Sequence, residues 1–101
     1  MAGNTTKVFS SVVAPVDSAP IQCQRVREEN GPVEVIFVGT SFSMAVQGRS
    51  EPSAPWFTIK VFTQADTTTN GGAAAIVALF PEIRFSLTAI SAGTLTAWLM
   101  E

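Results

Sequence analysis

The sequence predicts an all-β fold: an antiparallel β-sandwich or jelly roll of about eight short strands. Three observations predict it. Residues 82–88 alternate polar and apolar without exception, residues 41–47 do so with only Ala45 out of step, and residues 93–99 nearly repeat the pattern. That period of two is what a strand with one buried and one wet face requires. Turn-forming residues recur every eight to twelve positions, and no segment carries a convincing helical period.

The elements follow in order. Residues 7–13 are the first candidate strand, closed by Pro15. Asp17-Ser18-Ala19-Pro20 is a break before a strand at 21–27. Asn30-Gly31 is a hairpin dipeptide, since both residues tolerate positive φ. Strands at 33–39 and 42–48 come next. Glu51-Pro52-Ser53-Ala54-Pro55 must be a loop, because proline cannot donate to a ladder. A strand at 56–63 leads to Asn70-Gly71, a second hairpin dipeptide. The alanine-rich stretch 73–80 has helical propensity, but it is short, bounded by Gly71-Gly72 and Pro81, and flanked by strands. It is read as a strand. Strands at 83–89 and 94–100 are joined by the short turn Ser91-Ala92-Gly93.

The expected core is Val33, Val35, Phe37, Phe42, Met44, Val46, Phe57, Ile59, Val61, Val77, Leu79, Ile83, Phe85, Leu87, Leu95, Ala97 and Leu99. Several apolar residues fall on the opposite face: Ile36, Val38, Phe62, Trp98 and Met100. A strand apolar on both sides lies between layers or meets a partner. These five are the interface candidates. Residues 1–16 are expected to form an extended N-terminal arm or a first strand, and residues 17–101 a single β-sandwich domain.

Hydrophobic residues make up 47% of the 101 and charged residues only 14%. A typical chain carries about a quarter charged residues. So lightly charged a surface guards poorly against self-association, which fits a subunit covered by partners. The net charge of −2 offers no basic stripe for nucleic acid. The charged run Arg25-Val26-Arg27-Glu28-Glu29 cancels itself and reads as a solvated hairpin tip. No apolar run is long enough to span a membrane as a helix, and the start of the chain makes a poor signal peptide. The expectation is a soluble protein made in a cytoplasm.

The chemistry open to the chain is narrow. With no histidine there is no Ser-His-Asp triad and no histidine metal site. The carboxylates Glu28, Glu29, Glu34, Glu51, Asp66 and Glu82 share no motif. Residues 66–70 offer too few ligands for calcium, and Gly71-Gly72 lacks the lysine of a phosphate loop. No enzyme, catalytic residue, metal or cofactor is expected. Cys23 is alone and reads as a buried structural thiol beside Ile21. Trp56, after the two-proline loop, could stack on a sugar ring; the alternative is that it caps the core or packs on Pro52 and Pro55.

Taken together, Ala45-Val46-Gln47-Gly48, a polar loop, Trp56-Phe57-Thr58-Ile59, the run 75–89 and the run 91–99 resemble small β-sandwich virion proteins of tailed bacteriophages. The resemblance covers residues 33–100 and rests on motifs that mostly encode hairpins. It departs at the loop before the tryptophan, where Arg49-Ser50-Glu51-Pro52-Ser53-Ala54-Pro55 replaces the usual Asp-Gly-Thr. It implies a non-enzymatic virion protein, first of all a capsid decoration (cement) protein. That role implies a homotrimer contacting the major capsid protein or other virion proteins, with no nucleic acid and no membrane as partner. The alternative is a carbohydrate- or receptor-binding module of a fibre, tail or baseplate, with Trp56 at its site.

Overall fold

The computed structural model describes residues 5–23, 30–68 and 71–100, and in them the alternating segments become nine strands. These are β1 (Thr5–Val12), β2 (Val16–Asp17), β3 (Ile21–Gln22), β4 (Asn30–Val38), β5 (Ser41–Arg49), β6 (Phe57–Thr63), β7 (Gly72–Ala78), β8 (Glu82–Ser91) and β9 (Thr94–Met100). A 3₁₀ turn, Gln64–Asp66, follows β6.

The strands form two antiparallel sheets. The first has the order β1-β9-β4-β7; the second runs β2-β8-β5-β6, with β3 following β2 along the same edge of β8. The pairs β1 and β2, β4 and β5, β6 and β7, and β8 and β9 each divide between the sheets. The chain therefore crosses from one layer to the other at most of its turns. The inner faces meet in one core built from Val33, Val35, Met44, Val46, Ile83, Phe85, Leu87, Leu95 and Leu99 with their neighbours. Phe9 of β1 meets Phe85 of β8 edge-on at 6.1 Å, and Phe37 of β4 lies 4.5 Å from Phe42 of β5. These ring pairs tie one layer to the other.

From Thr5 onward the N-terminal stretch forms β1. β1 is an edge strand on β9, and Phe9 is part of the core. Asp17 and Gln22 mark two short pairings on β8. Ser18 fills the gap between them: its N–H donates to the Phe85 carbonyl and its Oγ accepts from the Phe85 N–H. Of the expected strand at 21–27, Ile21–Gln22 is a strand, and residues 24–29, including Arg25 to Glu29, lie outside the described residues.

Two turn expectations are corrected. Asn30-Gly31 is not a turn; it opens β4, opposite Ala78 and Val77. Gly71, with φ of 80°, leads into β7 but joins no hairpin, since β6 and β7 lie in different sheets; Asn70 is outside the described residues. Ser91-Ala92-Gly93 is the expected short turn between two strands, and it carries the chain from one sheet to the other. Turns that change layer press backbones together. A Cβ on Gly93 would collide with the Val38 carbonyl, so only glycine fits there.

The expected core fails in β6. Phe62 is 1% exposed, while Val61 is 43% and Phe57 45% exposed. The cause is a β-bulge. Val46 pairs with Lys60 but Gln47 pairs with Thr58, so Ile59 is an extra residue in β6. One extra residue reverses the phase of everything after it. Phe62, expected at an interface, is thereby turned inward opposite Met44, and Val61 is turned out opposite Ala45. Phe57, before the bulge, sits at the rim against Phe80, 4.7 Å between ring centres.

Candidate functional site

The two outer faces of the sandwich differ in chemistry. On the first sheet, β4 turns Pro32, Glu34, Ile36 and Val38 outward. The register sets Pro32 against Ile76, Glu34 between Trp98 and Ala74, Ile36 between Thr96 and Gly72, and Val38 against Thr94. Four of the five interface candidates, Ile36, Val38, Trp98 and Met100, thus share one face. Ile36 is 39% and Val38 66% exposed, and Trp98 and Met100 are half-buried. The fifth, Phe62, is in the core. The structure adds Ile76, 65% exposed, which belongs to the alanine-rich stretch and alternates against the core residue Val77. The few charges on this face lie beside Trp98: Lys7 and Glu34 pair with it on either side, and the Lys7 ammonium is 5.9 Å from the ring centre.

The outer face of the second sheet is polar and closed on itself. In one cross-strand row Glu82 of β8 stands between Gln22 of β3 and Arg49 of β5. Its carboxylate accepts hydrogen bonds from Gln22 Nε2 and from Arg49 Nε, the latter at 2.7 Å. In the next row Arg84 Nε donates to Gln47 Oε1 at 2.7 Å. Arg84 also lies 3.6 Å from Asp17, which accepts from Ser86 Oγ at 2.6 Å. Glu82 and Ser86 are buried. Among the described residues no buried side-chain polar atom lacks a partner. The bond to Arg49 holds the Glu82 carboxyl below the usual carboxylate range, against the opposing effect of burial.

Trp56 covers this network. The loop between β5 and β6 brings its indole to 4.2 Å from the Arg49 guanidinium carbon and 4.7 Å from that of Arg84. Both arginines are thus held by carboxylates in the sheet and by the indole. Neither expectation for Trp56 included arginine contacts. Arg49 and Arg84 belong to strands whose polar positions meet only through register, so no local motif announces them.

Two shallow hollows of about 320 and 400 Å³ lie beside the start of β7. They are lined by Phe37, Gln64 and Thr67, and by Glu34, Asp66 and Ala74. Asp66 is turned to its own turn, accepting from the Thr63 N–H at 2.8 Å. Among the described residues no cluster of three or more His, Cys, Asp or Glu could hold a metal, and no helix is long and apolar enough to cross a membrane. Cys23 is half-buried and packs against the core.

The architecture defines an all-β protein of two antiparallel sheets, with one apolar and one polar outer face. Among solved structures the fold is similar to that of the SPBc2 prophage-derived protein YomS, known from a crystal structure. The TM-score is 0.55, with 96% of this chain and 90% of that chain covered, at 5% sequence identity. That is a likeness of fold. No family model matches the chain, and no curated protein matches it.

Proposed function

We propose that the chain is a non-enzymatic structural protein of a phage virion, and within that class a capsid decoration (cement) protein. The observation that carries this reading is the outer face of the first sheet, where Ile36, Val38, Ile76, Trp98 and Met100 leave a wide apolar surface in contact with water. Such a surface on a small domain is the mark of a partner. The fold likeness to a prophage-derived protein supports a phage origin. The strand path, with successive pairs shared between two sheets, supports the jelly-roll form of the sandwich.

The mechanism is passive. Fully burying a valine or isoleucine is worth about 1.5–3 kcal/mol, so each copy gains a modest affinity from a few side chains. A capsid repeats its surface many times, and linked copies multiply weak contacts into a durable coat. The opposite face has satisfied its polar groups internally and gives the coat an inert, wet exterior. The Trp56 ring already rests against two guanidinium groups, which accounts for its position without a sugar.

The test is co-sedimentation with phage heads that lack the chain. Wild type should bind the heads. Val38→Asp and Ile36→Asp should abolish binding while circular dichroism melts stay near wild type. Val61→Asp, on the other sheet, should bind normally. Wild-type binding by Val38→Asp and Ile36→Asp would overturn the reading.

A further inference from the structure

The four sheet edges are not alike. β1 carries two bulges, Lys7 and a residue of positive φ, Ser11. The β2–β3 edge is two short pieces interrupted by Pro20. β6 has the Ile59 bulge and Lys60. Each of these is a known guard against strand addition. β7 has none: it runs Gly72-Ala73-Ala74-Ala75-Ile76-Val77-Ala78, uncharged, without proline, in unbroken register with β4.

The register also fixes which backbone groups are open. The Phe37 N–H donates to the Gly71 carbonyl, so the pair Phe37 and Gly71 is hydrogen-bonded. In an antiparallel ladder such pairs alternate. Val35 with Ala73, Val33 with Ala75 and Gly31 with Val77 therefore use their groups between β4 and β7. The N–H and C=O of Ala74, Ile76 and Ala78 point the other way, to the free edge. The Gly72 carbonyl agrees, since it accepts from Thr68 outside the ladder. Among the described residues no strand pairs with this edge.

We propose that this edge pairs with the same edge of a second copy, antiparallel, about a twofold axis at Ile76. From Ala74 to Ala78 the sequence is nearly palindromic in size about Ile76. Antiparallel pairing centred there sets Ala74 against Ala78 of the second copy, Ala75 against Val77, and Ile76 against Ile76. No charge opposes a like charge, small side chains flank the central pair, and the open groups of Ala74, Ile76 and Ala78 find each other. The two first sheets become one continuous sheet, and the apolar rows through Pro32 and Ile76 join across the axis. An isologous contact of this kind closes at two copies. It differs from the threefold association expected from sequence, and it does not depend on the virion reading, which concerns the sheet's face and not its edge.

The experiment is sedimentation equilibrium of the full chain at micromolar concentrations. Wild type should have about twice the 10.7 kDa of one chain. Ala74→Pro removes a donor that only the second copy uses, and Ile76→Lys places like charges in direct opposition. Both should stay folded and raise the dissociation constant about tenfold or more. Ile76→Lys keeps the test decisive should the proline variant unfold. A wild-type monomer or trimer would overturn the pairing, as would a dimer undisturbed by Ile76→Lys. Val38→Asp separates the two proposals: it should lose head binding but remain a dimer, and its failure to dimerise would place the contact on the face instead.

Discussion

Replacing Phe62 and its neighbour Val61 separates the bulged strand from a regular one. In a regular strand Val61 faces the core and Phe62 faces out; with Ile59 bulged the two exchange places. Phe62 is 1% exposed, opposite Met44, itself fully buried. Phe62→Ala should therefore cost about 3–5 kcal/mol, the usual range for emptying a buried phenylalanine site. At about 4–8 °C per kcal/mol for a domain of this size, the melting temperature should fall by at least about 12 °C. Val61 keeps 43% of its surface in water, so Val61→Ala should cost about 1 kcal/mol or less. Urea unfolding followed by circular dichroism reads both, with an unchanged m-value showing that stability alone has moved. Equal midpoint shifts, or a larger one for Val61→Ala, would refute the bulge and restore the regular phase.

Other expectations follow from the polar face and from the edge strand. The Glu82 carboxyl is held low by Arg49, so its stabilisation is present above the ordinary value of 4.5 and is lost as pH falls through the lowered folded value. The urea midpoint of wild type should exceed that of Glu82→Gln at neutral pH, and the gap should close in acid; a gap that widens in acid would contradict the sign. Trp56→Ala removes the indole from Arg49 and Arg84 and should cost about 0.5–2 kcal/mol while the domain stays folded, read by thermal melt and near-ultraviolet circular dichroism. Ala75→Pro deletes a donor used within the ladder to Val33 and should lower the melting temperature far more than Ala74→Pro; equal melts would show the register to be shifted.

The fold class was legible because strand alternation is local. Residues 82–88 carry their phase in their own side chains, and Ile83, Phe85 and Leu87 are all buried. The four apolar outer residues of the first sheet were legible for the same reason, since β4 and β9 have no bulge against each other. Phe62 was not, because a bulge depends on how β5 and β6 pair and leaves no mark in the alternation of β6. Asn30-Gly31 misled in another way. The dipeptide favours a tight turn, but pairing with β7 on one side is worth more than that preference. The Glu82, Arg49 and Arg84 network was invisible for a third reason. Its members are 33 and 37 residues from the partners they bond across β5 and β8, and only register brings them together.

The central claim is that the chain is a component of a virion. The decisive measurement is quantitative mass spectrometry of gradient-banded particles from cultures that produce the chain. A virion component should band with the particles at a fixed ratio to the major capsid protein and stay there through repeated banding. Recovery of the chain from the cell lysate but not from the banded particles would contradict it.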